Sequence, residues 1–256
     1  MSKFIDKLNR LTRGEPQSIG FRRQQSAALK PKIQLVASLA QENAESLGSS
    51  LSGADAGLLR ISKAGTAANV LQKLSETLPD IPWGGWLQGS GGEIKKMTKA
   101  GCDFIVFSAS TTPLAIIENA EVGRILEIEP SLSDGLLRAT NELPIDAVLA
   151  ADEQKQSKSL TWQDLMLFQR FARLLTKHLL VSIPAKITES ELLALWEAGV
   201  IGVVVEVDDE KTLDGLQKLR QLVDKLDFPL AGRRGRSEAL LPHAISEQGA
   251  PTTEIQ

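Results

Sequence analysis

The chain has 256 residues, 42% of them apolar and 24% charged, with a formal net charge of −3. That length suits one large core, the apolar share excludes a chain that stays unfolded as a whole, and the slight acidity supplies no field for nucleic acid or an anionic membrane. Cys102 is the single cysteine, which excludes an intrachain disulfide and a cysteine-built zinc site and fits a reducing, cytoplasmic setting.

In chain order, residues 1–32 read as an N-terminal arm. Phe4, Ile5, Leu8 and Leu11 share one helical face, which predicts a short amphipathic helix that packs on the floor of the domain or on another subunit. A polar, basic, Pro-containing linker follows, through Arg22 and Arg23. Charges are spread through Met1 to Arg13, and no stretch of about 18 uninterrupted apolar residues occurs, so neither export nor membrane insertion is expected.

From residue 33 to 230 one pattern repeats: a short apolar run, a polar break, then apolar residues at helical spacing. The predicted strands are Ile33–Leu39, Ala56–Ile61, Trp83–Gln88, Phe104–Ser108, Ile125–Ile128, Ala147–Ala150, Leu179–Ile183 and Val203–Val207. The predicted helices between and after them are Ala67–Leu78, Glu93–Ala100, Leu114–Asn119, Ser133–Asn141, Trp162–Thr176, Glu189–Ala198 and Leu213–Leu226. Glycines such as Gly53, Gly101 and Gly199 stand where a helix would end before the next strand. Strands alternating with helices imply a parallel sheet with right-handed crossovers. Eight such units, with no glycine-rich phosphate loop after the first, predict closure into a single (β/α)8 TIM barrel rather than an open doubly wound sheet. Residues 231–256, rich in Gly, Pro, Ser and Thr and carrying Arg233, Arg234 and Arg236, read as a disordered tail. Three arginines without interleaved aromatics are only a weak signal for a nucleic-acid or anionic partner.

In such a barrel the functional mouth lies at the C-terminal strand ends. The residues there are Ser38, Arg60, Ser62, Lys63, Trp86, Gln88, Ser108, Glu127, Glu129, Asp152, Ser182, Glu206 and Asp208. Side chains alternate along a strand, and a charge beneath the helices would be costly without a partner. Arg60, Glu127 and Glu206 should therefore face the lumen, giving an acidic mouth with an arginine in it. That mouth admits three uses: carboxylates holding Mg²⁺ or Mn²⁺, with Glu129 and Asp152 as the pair on adjacent strand ends; a general acid and base; or a satisfied Arg60–Glu127–Glu206 network that only fills the core. Trp83 and Trp86 could wall a ligand, or simply pack. Lys63 is the lysine placed for a Schiff base, or for solvent.

Several chemistries have no residues to run on. His178 precedes the seventh strand on the opposite end and His243 lies in the tail, so histidine chemistry in the mouth is not expected. Tyrosine is absent. Cys102 precedes the fourth strand and reads as a small buried residue near the floor. No Gly-x-Ser-x-Gly occurs. Ile183-Pro184-Ala185-Lys186 and Glu206-Val207-Asp208-Asp209 occupy the turns where phosphate-binding barrels carry glycines, which disfavours a phosphosugar.

Ile125-Leu126-Glu127-Ile128-Glu129, then Pro144-Ile145-Asp146-Ala147-Val148-Leu149 with Asp152 beyond, resembles the fifth and sixth units of the metal-dependent pyruvate aldolase and citrate-lyase-like barrels of the aldolase-type superfamily. The resemblance implies Mg²⁺ held by Glu129 and Asp152. It differs in that Ala150-Ala151-Asp152 replaces a Gly-Pro-Ala-Asp turn, no Glu-His pair follows the second strand, and Trp86-Leu87-Gln88 stands where an arginine would end the third. Two functional classes follow. One is a Mg²⁺- or Mn²⁺-dependent carbon–carbon lyase acting on a small oxo-acid, with Arg60 or Lys63 orienting a carboxylate and Trp86, Gln88, Ser108 and Glu206 lining the substrate. The other is a non-catalytic barrel, a binding or scaffold protein, as monomer or homo-oligomer.

Overall fold

Eight parallel strands hydrogen-bond in chain order and close on themselves, β8 pairing with β1, in a computed structural model. The structure describes residues 2–13, 32–48, 50–51, 53–62, 64–87, 94–118, 121–151 and 159–228. The strands are β1 (Gln34–Ala40), β2 (Ala56–Ile61), β3 (Trp83–Leu87), β4 (Phe104–Ser108), β5 (Gly123–Ile128), β6 (Ala147–Ala150), β7 (His178–Ile183) and β8 (Gly202–Val207). Each predicted strand is present, most within a residue or two of its expected ends; Gln88, taken as the end of the third, lies outside the described residues. No helix among the described residues is long and apolar enough to cross a membrane.

The helices are α1 (Lys3–Arg13), α2 (Ala44–Gly48), α3 (Ala64–Thr77), α4 (Ile94–Lys99), α5 (Asp134–Thr140), α6 (Trp162–Leu174), α7 (Glu189–Glu197) and α8 (Glu210–Lys225). Two departures from the sequence reading stand out. The segment expected as a helix over Leu114–Asn119 is a single 3-10 turn, Leu114–Glu118, because Pro113 sets its start and only four residues separate it from β5. The short α2 was not anticipated, since five residues carry too little periodicity to register. Helix ends follow local chemistry. Thr161, Thr188 and Asp209 cap α6, α7 and α8 with reciprocal capping boxes. After α7, Gly199 at φ +97° lets Val200 N–H reach Leu195 C=O and its own N–H reach Trp196 C=O, the paired bonds that close a helix C-terminus.

Strand parity divides the core in two. Outward residues such as Leu39, Leu59, Ile105, Val148, Val181 and Val205 pack under the helices. Inward residues fill the lumen, and α1 joins them there with Phe4, Ile5 and Leu8. The arm's helix thus seals the barrel floor. Its N-terminus is held by the Asp103 carboxylate, which accepts from Ser2 Oγ at 2.7 Å and from the backbone N–H groups of Lys3 and Phe4 at 2.7 and 2.9 Å. A carboxylate at a helix N-terminus satisfies donors that the helix leaves open and sits favourably in its dipole. His178, expected away from the mouth, is indeed on the floor, its Nε2 2.9 Å from Asn9 Oδ1 of α1. Cys102 is also buried, hydrogen-bonding Phe104 C=O, and burial pushes its thiol up to about 12.

Candidate functional site

The register sets the height of every lumen side chain. Following partners from Ala40 to Arg60, Trp86, Val106, Ile125, Ala147 and His178 descends one residue per strand, the stagger of a closed eight-stranded barrel. Inward residues therefore come in layers of four drawn from alternate strands. The lower layers are apolar: Ala56, Phe104, Ala147 and Gly202; then Val36, Gly84, Ile125 and Leu180; then Leu58, Val106, Leu149 and Val204. Above them the composition changes. Ser38, Trp86, Glu127 and Ser182 form the next layer, and Arg60, Ser108, Ala151 and Glu206 the one above. The lumen is packed below and polar only at the mouth, so a ligand can meet chemistry only at this end.

The lower polar layer is built around Trp86. Its side chain is 4% exposed, and its indole N–H donates to Glu127 Oε2 at 2.9 Å. Glu127 is half-buried. Ser108, in register with Glu127 on the neighbouring strand, lies 2.9 Å from Ser110, Oγ to Oγ. Beside the tips of β4 and β5 a cleft of about 1120 Å³ runs outward toward α5, lined by Ser108, Glu127 and Glu129 at the strand ends and by Leu126, Ile128 and Leu136 on the helix side. Glu129, one residue beyond β5, is exposed and accepts from Ser131 Oγ at 3.3 Å.

On the opposite side of the mouth Arg60 Nη1 donates to Glu206 at 2.8 Å, and Nη2 to Asp208. The loops around this pair are tied together. Gln41 Nε2 donates to Thr66 Oγ1 at 2.7 Å while Gln41 Oε1 accepts from Ser62 N–H, and Asn43 Nδ2 reaches Asp208 C=O. Asp209, the cap of α8, has its carboxyl lowered by the Thr212 backbone N–H first and the Thr212 hydroxyl second. An acidic cap already fills the helix N-terminus where a phosphate would otherwise bind, in line with the glycine-poor turns of the sequence.

Arg60, Trp86, Ser108 and Glu206 are thus brought together in the top two layers, as their parity required. Lys63, Gln88 and Asp152 lie outside the described residues. The network expected between Arg60, Glu127 and Glu206 is corrected. Arg60 and Glu206 share a layer and pair, whereas Glu127 stands one layer lower and takes the Trp86 indole instead. Trp83 is no part of a ligand wall. Three residues before Trp86, it has the opposite parity and is 1% exposed in the outer core. Among the described residues no group of three or more Asp, Glu, His or Cys side chains could hold a metal ion.

No protein family and no curated protein sequence matches this chain. Solved structures do. A mutant tryptophan synthase α-subunit from the hyperthermophile Pyrococcus furiosus is 14% identical, with a TM-score of 0.58 over 77% of this chain and 99% of that one. A protein from Aquifex aeolicus VF5 is 12% identical, with a TM-score of 0.59 over 89% and 98%. At these identities the likeness shows the fold, a TIM barrel, and function has to be argued from the site.

Proposed function

We propose that this barrel binds and transforms a small molecule at its mouth, and that the reaction is a Mg²⁺- or Mn²⁺-dependent carbon–carbon cleavage or aldol addition on a small oxo-acid. One observation supports the first part above the rest: the half-buried Glu127 carboxylate, oriented by a buried indole and opening on the cleft over β4 to β6. A half-buried carboxylate oriented by a fixed donor is a polar anchor of the kind that ligand pockets use sparingly. The second part rests on the aldolase-like residues of β5 and β6. Glu129 and Asp152 would hold the ion. One exposed carboxylate from the described residues suits a cation that takes one or two protein ligands and leaves its other positions to water and substrate oxygens. When bound, the ion would polarise the oxo group and stabilise the developing enolate charge. Arg60 or Lys63 would orient the substrate carboxylate, with Trp86, Gln88, Ser108 and Glu206 lining the site.

Titration calorimetry with Mg²⁺ and Mn²⁺ tests the metal. Wild type is expected to bind, and Glu129→Gln to bind at least about tenfold more weakly. Absence of binding, or binding indifferent to the substitution, refutes the metal-dependent form. A second reading, a non-catalytic binding or scaffold barrel, is favoured by Arg60, whose guanidinium already engages Glu206 and Asp208 and has less to offer an incoming carboxylate. That form predicts that a bound small molecule is released chemically unchanged, which NMR of the recovered ligand would reveal.

A further inference from the structure

The cleft beside β4 and β5 crosses the rim of the barrel. Ser108 and Glu127, on the lumen face of their strands, stand at one end, while Leu87, Leu126 and Ile128, on the outer face, form its floor. The opening has a cause in the chain. Among the described residues the stretch between β4 and β5 holds a single 3-10 turn, Leu114–Glu118, whereas β2, β6, β7 and β8 are each followed by a helix of at least 9 residues. This part of the sheet therefore lacks a full helix of its own. α5 and the turn after it present an apolar edge to the gap: Leu136, Ala139 and Leu143 line the cleft, and Leu136 and Leu143 are 57% and 44% exposed. Large apolar side chains left open beside a buried apolar floor gain most from an occupant that is itself apolar.

Width, length and polarity decide what fits. The floor is nearly closed to water, Ile128 being 2% exposed, Leu126 4% and Leu87 7%. A gap wide enough for a helix, about 10 Å across, would open that floor, so the occupant is slim. The cleft's volume of about 1120 Å³ is of the size that takes drug-sized ligands, far more than pyruvate fills. Its apolar wall is long as well. Beyond α5 the chain continues to Leu143 in tight turns, the N–H groups of Asn141, Glu142 and Leu143 bonding to the carbonyls three residues back. From Leu136 to Leu143 the rise is about 10 Å, the reach of about eight carbons joined by bonds of about 1.5 Å. Polar groups gather at the strand tips, where Ser108, Ser110, Glu129 and Ser131 line the same cleft. Such a site takes a molecule with a polar head and a straight apolar chain.

We propose that the substrate is a medium-chain oxo-acid, its polar head at the strand tips beside Glu129 and its alkyl chain, about six to eight carbons, laid along Leu126, Ile128, Leu136 and Leu143. This assignment rests on the oxo-acid reading of the mouth and adds the chain to it. Saturation-transfer NMR titrations on the full chain compare pyruvate with 2-oxooctanoate in Mg²⁺, and 1-octanol in EDTA probes the apolar part without acid or metal. Full burial of one methylene is worth about fourfold in affinity. With its chain open on one side, 2-oxooctanoate is expected to bind at least about tenfold more tightly than pyruvate, and 1-octanol is expected to bind as well. Leu136→Gln and Leu143→Gln change exposed side chains, so the circular dichroism spectrum should be preserved. Each should weaken 2-oxooctanoate and 1-octanol at least about threefold and leave pyruvate unchanged. If pyruvate binds as tightly as 2-oxooctanoate, or the chain-length gain survives both substitutions, the chain's placement is overturned and the oxo-acid reading stands. If no oxo-acid binds with Mg²⁺ but 1-octanol binds and is weakened in both variants, the oxo-acid reading is overturned and the alkyl site stands. Silence of every probe overturns both.

Discussion

Replacing Phe4 with alanine should destabilise the whole barrel, although the residue belongs to an arm outside the (β/α)8 repeat. Phe4 is 0% exposed and stacks on Phe104 with ring centroids 4.8 Å apart at 34°. Burying an aromatic side chain removes about 150–250 Å² from water, worth about 4–6 kcal/mol as an upper figure. Measured Phe→Ala substitutions in cores cost about 3–5 kcal/mol. Relaxation would be limited here, because the strands around the floor are locked in a closed ladder. For a domain of this size the loss corresponds to a fall in melting temperature of about 6–20 °C. Urea denaturation followed by far-ultraviolet circular dichroism checks it: the midpoint should fall with the slope unchanged. A loss below about 1 kcal/mol would mean that α1 does not plug the barrel, and the account of the floor would be wrong.

The remaining predictions concern a thiol, an acid limb and a turn. Cys102, raised to about 12 by burial, should resist iodoacetamide at pH 8 in the native protein and react only under denaturant, since the thiolate is the nucleophile; prompt native labelling would contradict its burial. Asp224 is held at about 2 by hydrogen bonds from Arg220 and then Lys32. A depressed carboxyl contributes stability that is fully present above its ordinary value near 4 and is lost as pH falls toward 2. Its side chain is 48% exposed, so screening keeps the contribution below about 1 kcal/mol. Asp224→Asn should flatten the acid limb of the stability profile between those values, and an unchanged limb would refute the pairing. Gly199→Ala forces φ +97° on a residue with a Cβ and places that atom 2.8 Å from Ala172 Cβ. A cost of about 1–3 kcal/mol is expected in thermal unfolding, and a neutral result would count against the left-handed turn.

How far the site could be read in advance depended on the kind of information each residue needed. Arg60, Glu127 and Glu206 were placed in the lumen from alternation alone, because a strand has a two-residue period and a buried charge needs a polar side to face. Their pairing could not be read the same way. Which of the two carboxylates Arg60 meets depends on the stagger between strands far apart in sequence, and that put Glu206 in its layer and Glu127 in the layer below. Ser38 and Ser182 could be named as strand-end residues, but nothing in a serine tells in advance whether its buried hydroxyl finds a partner. For the fold, weak local pattern had its own effect: the Leu114–Glu118 turn looked helical because five apolar-rich residues after a proline satisfy either geometry.

The sequence by itself determined the eight alternating units, their closure, the polar mouth and the place of His178 away from it, because all of these follow from local periodicity and composition. Tertiary structure alone decided that the N-terminal helix seals the floor, that Trp86 rather than Trp83 enters the lumen to hold Glu127, and that Ser38 Oγ and Arg60 Nε are left without partners. These are relations between residues on different elements, brought together only when the barrel closes. They are set by barrel stagger and close packing, which no single stretch of sequence encodes.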